Sequence, residues 1–527
     1  MLPLLITILA SLSLAFGSPA DAQTPKRGGT LKVAIEGESV NLDMIGVGFG
    51  RKVYREAIGS GLFRLDKNFN VVGDAAKSWE VSDEGRIITI KLYPGGTYHD
   101  GTPLDAKSVK WNLDIISGRV VPTWVKEMKK KSPKYKWRNV FSGYLFHINK
   151  VEVLDKYTLR IHQNDLGKAM IFDAMTAAFS RFVLVSPKSY DMNIEQTRRH
   201  PVMSGPYKFV EWKRNRHFKA VRHKGYFRKG LPYLDGIEFY FMADANQRMN
   251  ALAAGEIDII NNLPLPLHAT AIKTPGVKVL VGPQTMNYAF PINGQMAPWK
   301  DKRVRRALSC YGVDRAQIVK TALRGLGKPW VSYAPAGAKD AIDLTAECPY
   351  DPAKAKALLK EAGYGPGGKP LKLTLTTNNS DPAHIEVSQA LKYQFAKLGA
   401  TMDIRVVDYA SWNRAFIRQR KLQLTLQNTL SSRTVNSNSH TIHSKSRIDY
   451  YNMKDPEVDR LLDIWRSTTN TSKQIEVSHK LQRYILAQGY YPNIASFSFL
   501  QATRSDVKGF VNLGKMMLDY TSVWLDR

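Results

Sequence analysis

The sequence predicts an α/β chain of intertwined lobes, with mixed sheets flanked by helices. Three observations carry this. Helices open on Asp-Pro and Asp caps, period-two strands lie between them, and residues 371–426 run strand, helix, strand, short helix, strand. A βαβαβ order implies a partly parallel sheet, because parallel neighbours need a crossover. Length agrees: 527 residues suit about two to four domains. The 43% hydrophobic and 10% aromatic content excludes intrinsic disorder.

In chain order, Leu2–Phe16 is a short apolar run followed by small residues ending Ala20-Asp21-Ala22. It has the shape of a secretory signal with an A-x-A exit, so residues 1–22 are expected to be removed after Ala22. The mature chain would then fold outside the cytoplasm. Strand Ile88–Leu92 precedes a helix that Asp105 caps, carrying Val109, Leu113 and Ile116. Asp314 caps another, with Ile318, Val319 and Leu323. Asp351-Pro352 reads as N-cap and N1, with Ala355, Leu358, Leu359 and Ala362 along one face and Gly363 as the terminating glycine. After strand 371–377 comes a helix with Ile385, Leu391, Phe395 and Leu398, then strands 402–407 and 422–426. Asp455-Pro456 opens a helix with Val458, Leu461, Leu462 and Trp465 on one face. Cys310 sits in an apolar helical pattern and Cys348 before a cap. A buried thiol and a disulfide both remain open readings.

Several chemical motifs resolve to bland readings. Gly363–Lys369 fits G-x-x-x-x-G-K, but Pro370 stands where Ser/Thr is needed and the loop leads from a helix into a strand. That reverses the order a phosphate cradle requires. His440 and His443 form H-x-x-H in a polar loop without a third ligand nearby. His99-Asp100-Gly101 reads as a turn. No G-x-S-x-G elbow occurs, so no enzyme is expected. The 76 Lys+Arg against 46 Asp+Glu give a net charge of +30. Basic runs at 126–138 and 213–229 interleave lysine with aromatics, yet no nucleic-acid module accompanies them. They read as solvated faces, with attraction to anionic surfaces or ligands as a by-product.

A set of ordered blocks points further. Gly28-Gly-Thr-Leu-Lys-Val-Ala34 comes first, then Gly61–Asp66, Ala75–Asp83, and Tyr98-His-Asp-Gly-Thr-Pro103 leading into Asp105–Trp111. Ser204–Phe209, Ala251–Asp258, Asp301–Leu308, Tyr350–Ala355 and Tyr451–Leu462 follow. In this order they resemble the family 5 extracellular solute-binding proteins of ABC importers, the dipeptide/oligopeptide/nickel-binding group. The resemblance implies the two-lobed type II periplasmic-binding-protein fold. Lobe I would be 24–283 plus 492–527, with an extra subdomain at about 71–183, and lobe II 284–491. It implies periplasmic capture of a small solute, peptide-like or anionic, by a monomer without cofactor that hands it to an inner-membrane permease and ATPase complex. A nickel-chelate ligand and an exported hydrolase are the alternatives, and nucleic acid is not an expected partner.

Family layout places Phe49, Arg51, Trp124, Trp137, Arg181, Tyr288, Asn428, Ser431, Ser432 and Arg433 at the cleft. In peptide-binding members an Asp late in lobe II pairs with the ligand's ammonium. Here residues 427–433 hold no acid, and Ser431 or Ser432 stands in its place beside Arg433. An unpaired buried ammonium is costly. Arg51, Arg181 and Arg433 therefore suggest a ligand carrying a carboxylate or phosphate.

Overall fold

The computed structural model describes residues 24–527, apart from 40, 44, 46–52, 138, 140–144, 177–181, 193, 380, 429–432, 447–448, 450 and 515–517 and the side chains of 382, 438 and 440. The expected signal segment lies outside the described residues.

Strand Thr30–Ile35 buries Leu31, Val33, Ala34 and Ile35, an apolar run that suits a strand covered on both faces. It lies inside a seven-stranded mixed sheet, parallel to both its neighbours, Gly236–Phe241 and Ile259–Ile260. A separate four-stranded antiparallel sheet spans Ala76–Ser82 to Thr158–Gln163. Helix Ala106–Ile116 packs against it, on the cap the sequence predicts. Asp105 accepts from Ser108 N at 2.9 Å while Ser108 Oγ accepts from Asp105 N at 3.0 Å. Such caps contribute about 1 kcal/mol each. Val109, Leu113 and Ile116 are buried beneath it. These elements share one apolar core with the C-terminal residues 507–525.

Residues 286–499 hold further cores of their own. Leu371–Asn378 is the middle strand of a three-stranded parallel sheet between Ala400–Val407 and Leu424–Thr425. Helix Pro352–Glu361 starts where Asp351 accepts from Lys354 N, and Gly363 follows with φ +83°, a conformation that favours glycine. Gly363–Lys369 is a helix-to-strand turn. Helix Pro456–Ser467 buries Val458, Leu461, Leu462 and Trp465, and Asp314 caps Arg315–Thr321. Cys310 and Cys348 are joined as a disulfide, Cα atoms 5.0 Å apart. Two local expectations shift. Ile385 is exposed, because helix Pro382–Ala396 buries Ala383, Val387, Leu391 and Phe395 at i, i+4 instead. The strand expected over 422–426 is only Leu424–Thr425, and Gln427–Asn428 beyond it pairs in another sheet.

The two groups of elements are joined by a pair of antiparallel strands. Val277–Val281 pairs with Leu500–Arg504 in the seven-stranded sheet, and Met286–Ala289 pairs with Asn493–Phe497 in a four-stranded one. Residues 493–497 thus pair within the second group and residues 500–504 within the first. Asn512 Nδ2 donates to both Leu280 O (2.8 Å) and Phe499 O (2.7 Å), clamping the crossing. A Cβ on Gly282 would meet Asn512 Oδ1 at 2.7 Å, so a side chain there would push Asn512 from this clamp.

The C-terminal return is also tied to the first core by charge. Arg64 Nη1 lies 3.3 Å from Asp519 Oδ2, and nearby Asp74 is buried, accepting from Gly61 N at 2.9 Å. Burial pushes the Asp74 carboxyl up to about 7, against the opposing pull of Arg228 and Arg64. A folded value above the ordinary carboxylate range means the associated stability is complete below about pH 4 and is lost as pH rises through 7. The melting temperature should therefore fall between about pH 4 and 7, and Asp74→Asn should flatten part of that fall. A melting profile unchanged by the substitution would refute this assignment.

Candidate binding site between the two cores

In α/β sheets ligands sit beyond the carboxyl ends of parallel strands. Here Leu371–Asn378 ends just before Asp381, which caps helix Pro382–Ala396 by accepting from Ala383 N at 3.0 Å. Its other oxygen accepts from Tyr288 Oη and from Asn428 Nδ2, each at 3.1 Å. Tyr288 and Asn428 face each other in backbone register, so two predicted site residues converge on one carboxylate that sequence reading did not single out. Tyr288 is fully buried, edge-on to His384 (5.6 Å) and against Phe497 (5.3 Å). Burial and the Asp381 charge raise its hydroxyl well above the ordinary range.

Five residues beyond Asn428, the chain reaches the first core. Arg433 Nη1 lies 2.5 Å from Asp173 Oδ1, and its Nε donates to Phe69 O at 3.2 Å. Thr434 Oγ1 donates to the second Asp173 oxygen. Lys339 extends the contact: its N donates to Arg433 O and its Nζ to Asn70 Oδ1, both at 2.8 Å. Burial and the Arg433 charge lower the Lys339 ammonium. Val435 N donates to both oxygens of Asp340 (2.9 and 3.0 Å). Burial, reinforced by the Asp173 charge, pushes the Asp340 carboxyl up to about 6. Ala169 N donates to Arg466 O at 3.1 Å, a second strut between the same two regions. Asp173 is 2% exposed on helix Met170–Thr176, whose apolar neighbours Ile171, Ala174 and Met175 belong to the first core.

The remaining predicted residues divide. Trp124 is buried, with its ring 6.1 Å from the half-buried Trp137 and 6.4 Å from Tyr190, so both indoles pack into the first core. Phe49, Arg51, Arg181, Ser431 and Ser432 lie outside the described residues. The His440 side chain does too, while His443 meets carboxylates on both sides, Asp463 at 3.3 Å and Asp459 at 3.5 Å. Among the described residues no group of three or more His, Cys, Asp or Glu is arranged to hold a metal ion. His99 is buried in its turn, its ring 4.9 Å from that of His223, and burial pushes its imidazole down to about 3. Nothing in the sequence around Asp173 marked it, because its partner is 260 residues away. Asp381 did carry a signal, the same Asp-Pro pair that opens helices at 351 and 455.

Residues 70–446 match the family described as bacterial extracellular solute-binding proteins, family 5 Middle. The glutathione-binding protein GsiB of Pectobacterium atrosepticum is 29% identical over 351 residues, covering 66% of this chain and 63% of that protein, less than two thirds of its length. Among solved structures, the binding protein AgaA of A. tumefaciens R10 in complex with agropinic acid aligns with a TM-score of 0.81 and 25% identity, over 95% of this chain and 99% of that one. The oligopeptide-binding protein AppA of Bacillus subtilis, in complex with a nonapeptide, aligns with a TM-score of 0.80 at 21% identity, over 96% and 100%. That similarity shows the shared fold. Among the described residues no helix is long and apolar enough to cross a membrane.

Removing one partner of a buried ion pair costs on the order of 3–5 kcal/mol, whereas replacing both by apolar groups is often neutral. Asp173→Ala should therefore lower the melting temperature and enlarge the radius of gyration in solution scattering. The double substitution Asp173→Leu/Arg433→Met should recover much of the stability. An unchanged radius of gyration in Asp173→Ala would show that the pair does not hold the two regions together.

Proposed function

Since this chain belongs to the bacterial extracellular solute-binding proteins of family 5, we propose that it captures a small solute between its two core regions and releases it unchanged to an ABC importer. The permease recognises the closed form and a partner ATPase supplies the energy, so the binding protein itself performs no catalysis. The observation that carries this reading is the contact centred on Asp173, where side chains from both regions meet across a two-strand crossing. Such a layout suits hinge closure, in which a ligand touching both sides favours the closed state by its differential affinity.

In this reading lobe I comprises residues 24–283 with the C-terminal return, lobe II the segment between, and the return crossing falls at 498–499. The subdomain at about 71–183 supplies Asp173. The protein acts as a monomer outside the cytoplasm after cleavage at Ala22. Phe49, Arg51, Arg181, Ser431 and Ser432 line the cleft, with Tyr288 and Asn428 at its lobe II wall and Trp124 and Trp137 supporting the opposite one. Because Arg433 is engaged by Asp173, Arg51 and Arg181 carry the recognition of an anionic group. A carboxylate-bearing solute accords with the relatives, one named for glutathione and one bound to agropinic acid.

Native mass spectrometry after gentle purification should find a carboxylate-bearing solute that leaves the protein intact. Glutathione and agropinic acid are the first calorimetric probes. A true ligand at a hundred times its Kd should stabilise the fold by about 2.7 kcal/mol. Recovery of a chemically altered compound, or tight binding of neutral solutes alone, would overturn the proposal.

A further inference from the structure

We propose that helix Thr123–Lys131 and the segment following it to residue 137 form a docking face for an anionic phospholipid surface. Lys126, Lys129, Lys130, Lys131, Lys134 and Lys136 are all exposed, against the single acid Glu127. None of the six is engaged in an ion pair among the described residues. That distinguishes them from the second basic run, where Arg214 meets Glu38 at 3.2 Å, Lys219 meets Glu238 at 3.1 Å and Arg222 meets Asp235 at 2.8 Å. Lysines in a last turn complement the helix dipole, which accounts for Lys129, Lys130 and Lys131. It does not account for Lys126 in the first turns, or for Lys134 and Lys136 beyond the helix end.

The lysines are mounted on a fixed base. Thr123 N and Oγ1 donate to the two oxygens of Asp191 at 2.6 and 2.8 Å. Trp124 and Val125 are buried, and Tyr135 and Trp137 pack against the first core. Concentrated positive charge is thus held out from the body at constant geometry. The chemistry of the face selects its partner. Lysine is a compact, hydrated point charge, and residues 123–137 contain no arginine, so bidentate recognition of one phosphate or carboxylate is not what the face offers. Its aromatic residues turn inward, which removes the stacking platform a single-stranded nucleic acid would use. An exposed array of lysines matches the diffuse negative potential of phospholipid headgroups, which attracts such arrays residue by residue. The lysines of this segment are exposed while its Trp124 and Trp137 pack inward, so the face needs no bound solute to act.

The test is co-sedimentation of the full chain with vesicles of phosphatidylglycerol and phosphatidylcholine, beside vesicles of phosphatidylcholine alone. Wild type should bind only the anionic vesicles and be released at about 0.5 M salt, where screening shortens the reach of surface charges. The variant Lys126→Gln/Lys129→Gln/Lys130→Gln/Lys134→Gln should bind about a thousandfold more weakly. A control, Lys356→Gln/Lys360→Gln/Lys369→Gln/Lys372→Gln, removes as many exposed charges elsewhere and should bind nearly as wild type does. Matched circular dichroism and melting temperatures establish that all three are folded. Absent binding by wild type, or equal weakening in both variants, overturns the proposal. So does a larger effect of the first variant on a single-stranded oligonucleotide than on vesicles, which would assign the face to nucleic acid.

Discussion

Everything in this molecule turns on one narrow place, where two antiparallel strands leave one sheet and enter another side by side. Val281 pairs with Leu500 on one side of the crossing and Met286 with Phe497 on the other. Asn512 bridges the carbonyls of Leu280 and Phe499, and Gly282 admits it by lacking a side chain. A backbone ladder that stays paired up to the junction resists shear and leaves bending as the soft motion. Each core keeps its own packing during that motion, since their apolar clusters are built from different stretches of chain.

Polar groups mark a place where the two regions meet away from the junction. Asp173 gathers a guanidinium and a hydroxyl, Lys339 reaches Asn70, and Ala169 N donates to Arg466 O. An apolar interface of this size would hold the regions together permanently, because hydrophobic burial is proportional to area and indifferent to orientation. Charge-assisted hydrogen bonds are strong when aligned and are readily replaced by water when the surfaces part. That chemistry suits the proposed hinge closure, in which the contact is made and broken repeatedly.

What the sequence revealed follows the range of the forces involved. Caps are local, so Asp105, Asp314, Asp351 and Asp455 could each be placed from a few neighbours, and the structure has all four. The parallel order over 371–426 was legible because helix and strand periods differ. Ile385 was misjudged because an apolar residue on a helix announces no particular face, and the Ala383, Val387, Leu391 stripe won. Gln427–Asn428 leaves the parallel sheet to pair with Met286–Ala289, and no local pattern encodes such a change of partner. Arg433 could be recognised as a cation from sequence, but its partner lies in another core. Family layout names Tyr288 and Asn428 as cleft residues, whereas the carboxylate that joins them depends on the fold.

The position of Leu500–Arg504 also dictates an order of assembly. It lies between Val277–Val281 and Ile259–Ile260 in the seven-stranded sheet. The seven-stranded sheet must therefore wait, with its penultimate strand missing, until nearly the whole chain is available. Residues 286–497 can meanwhile condense from contacts available among themselves. Closing a loop of this length is slow, and the waiting sheet exposes unpaired backbone to any neighbouring strand. A chaperone acting on the nascent chain would find its longest-lived substrate in the segment made first.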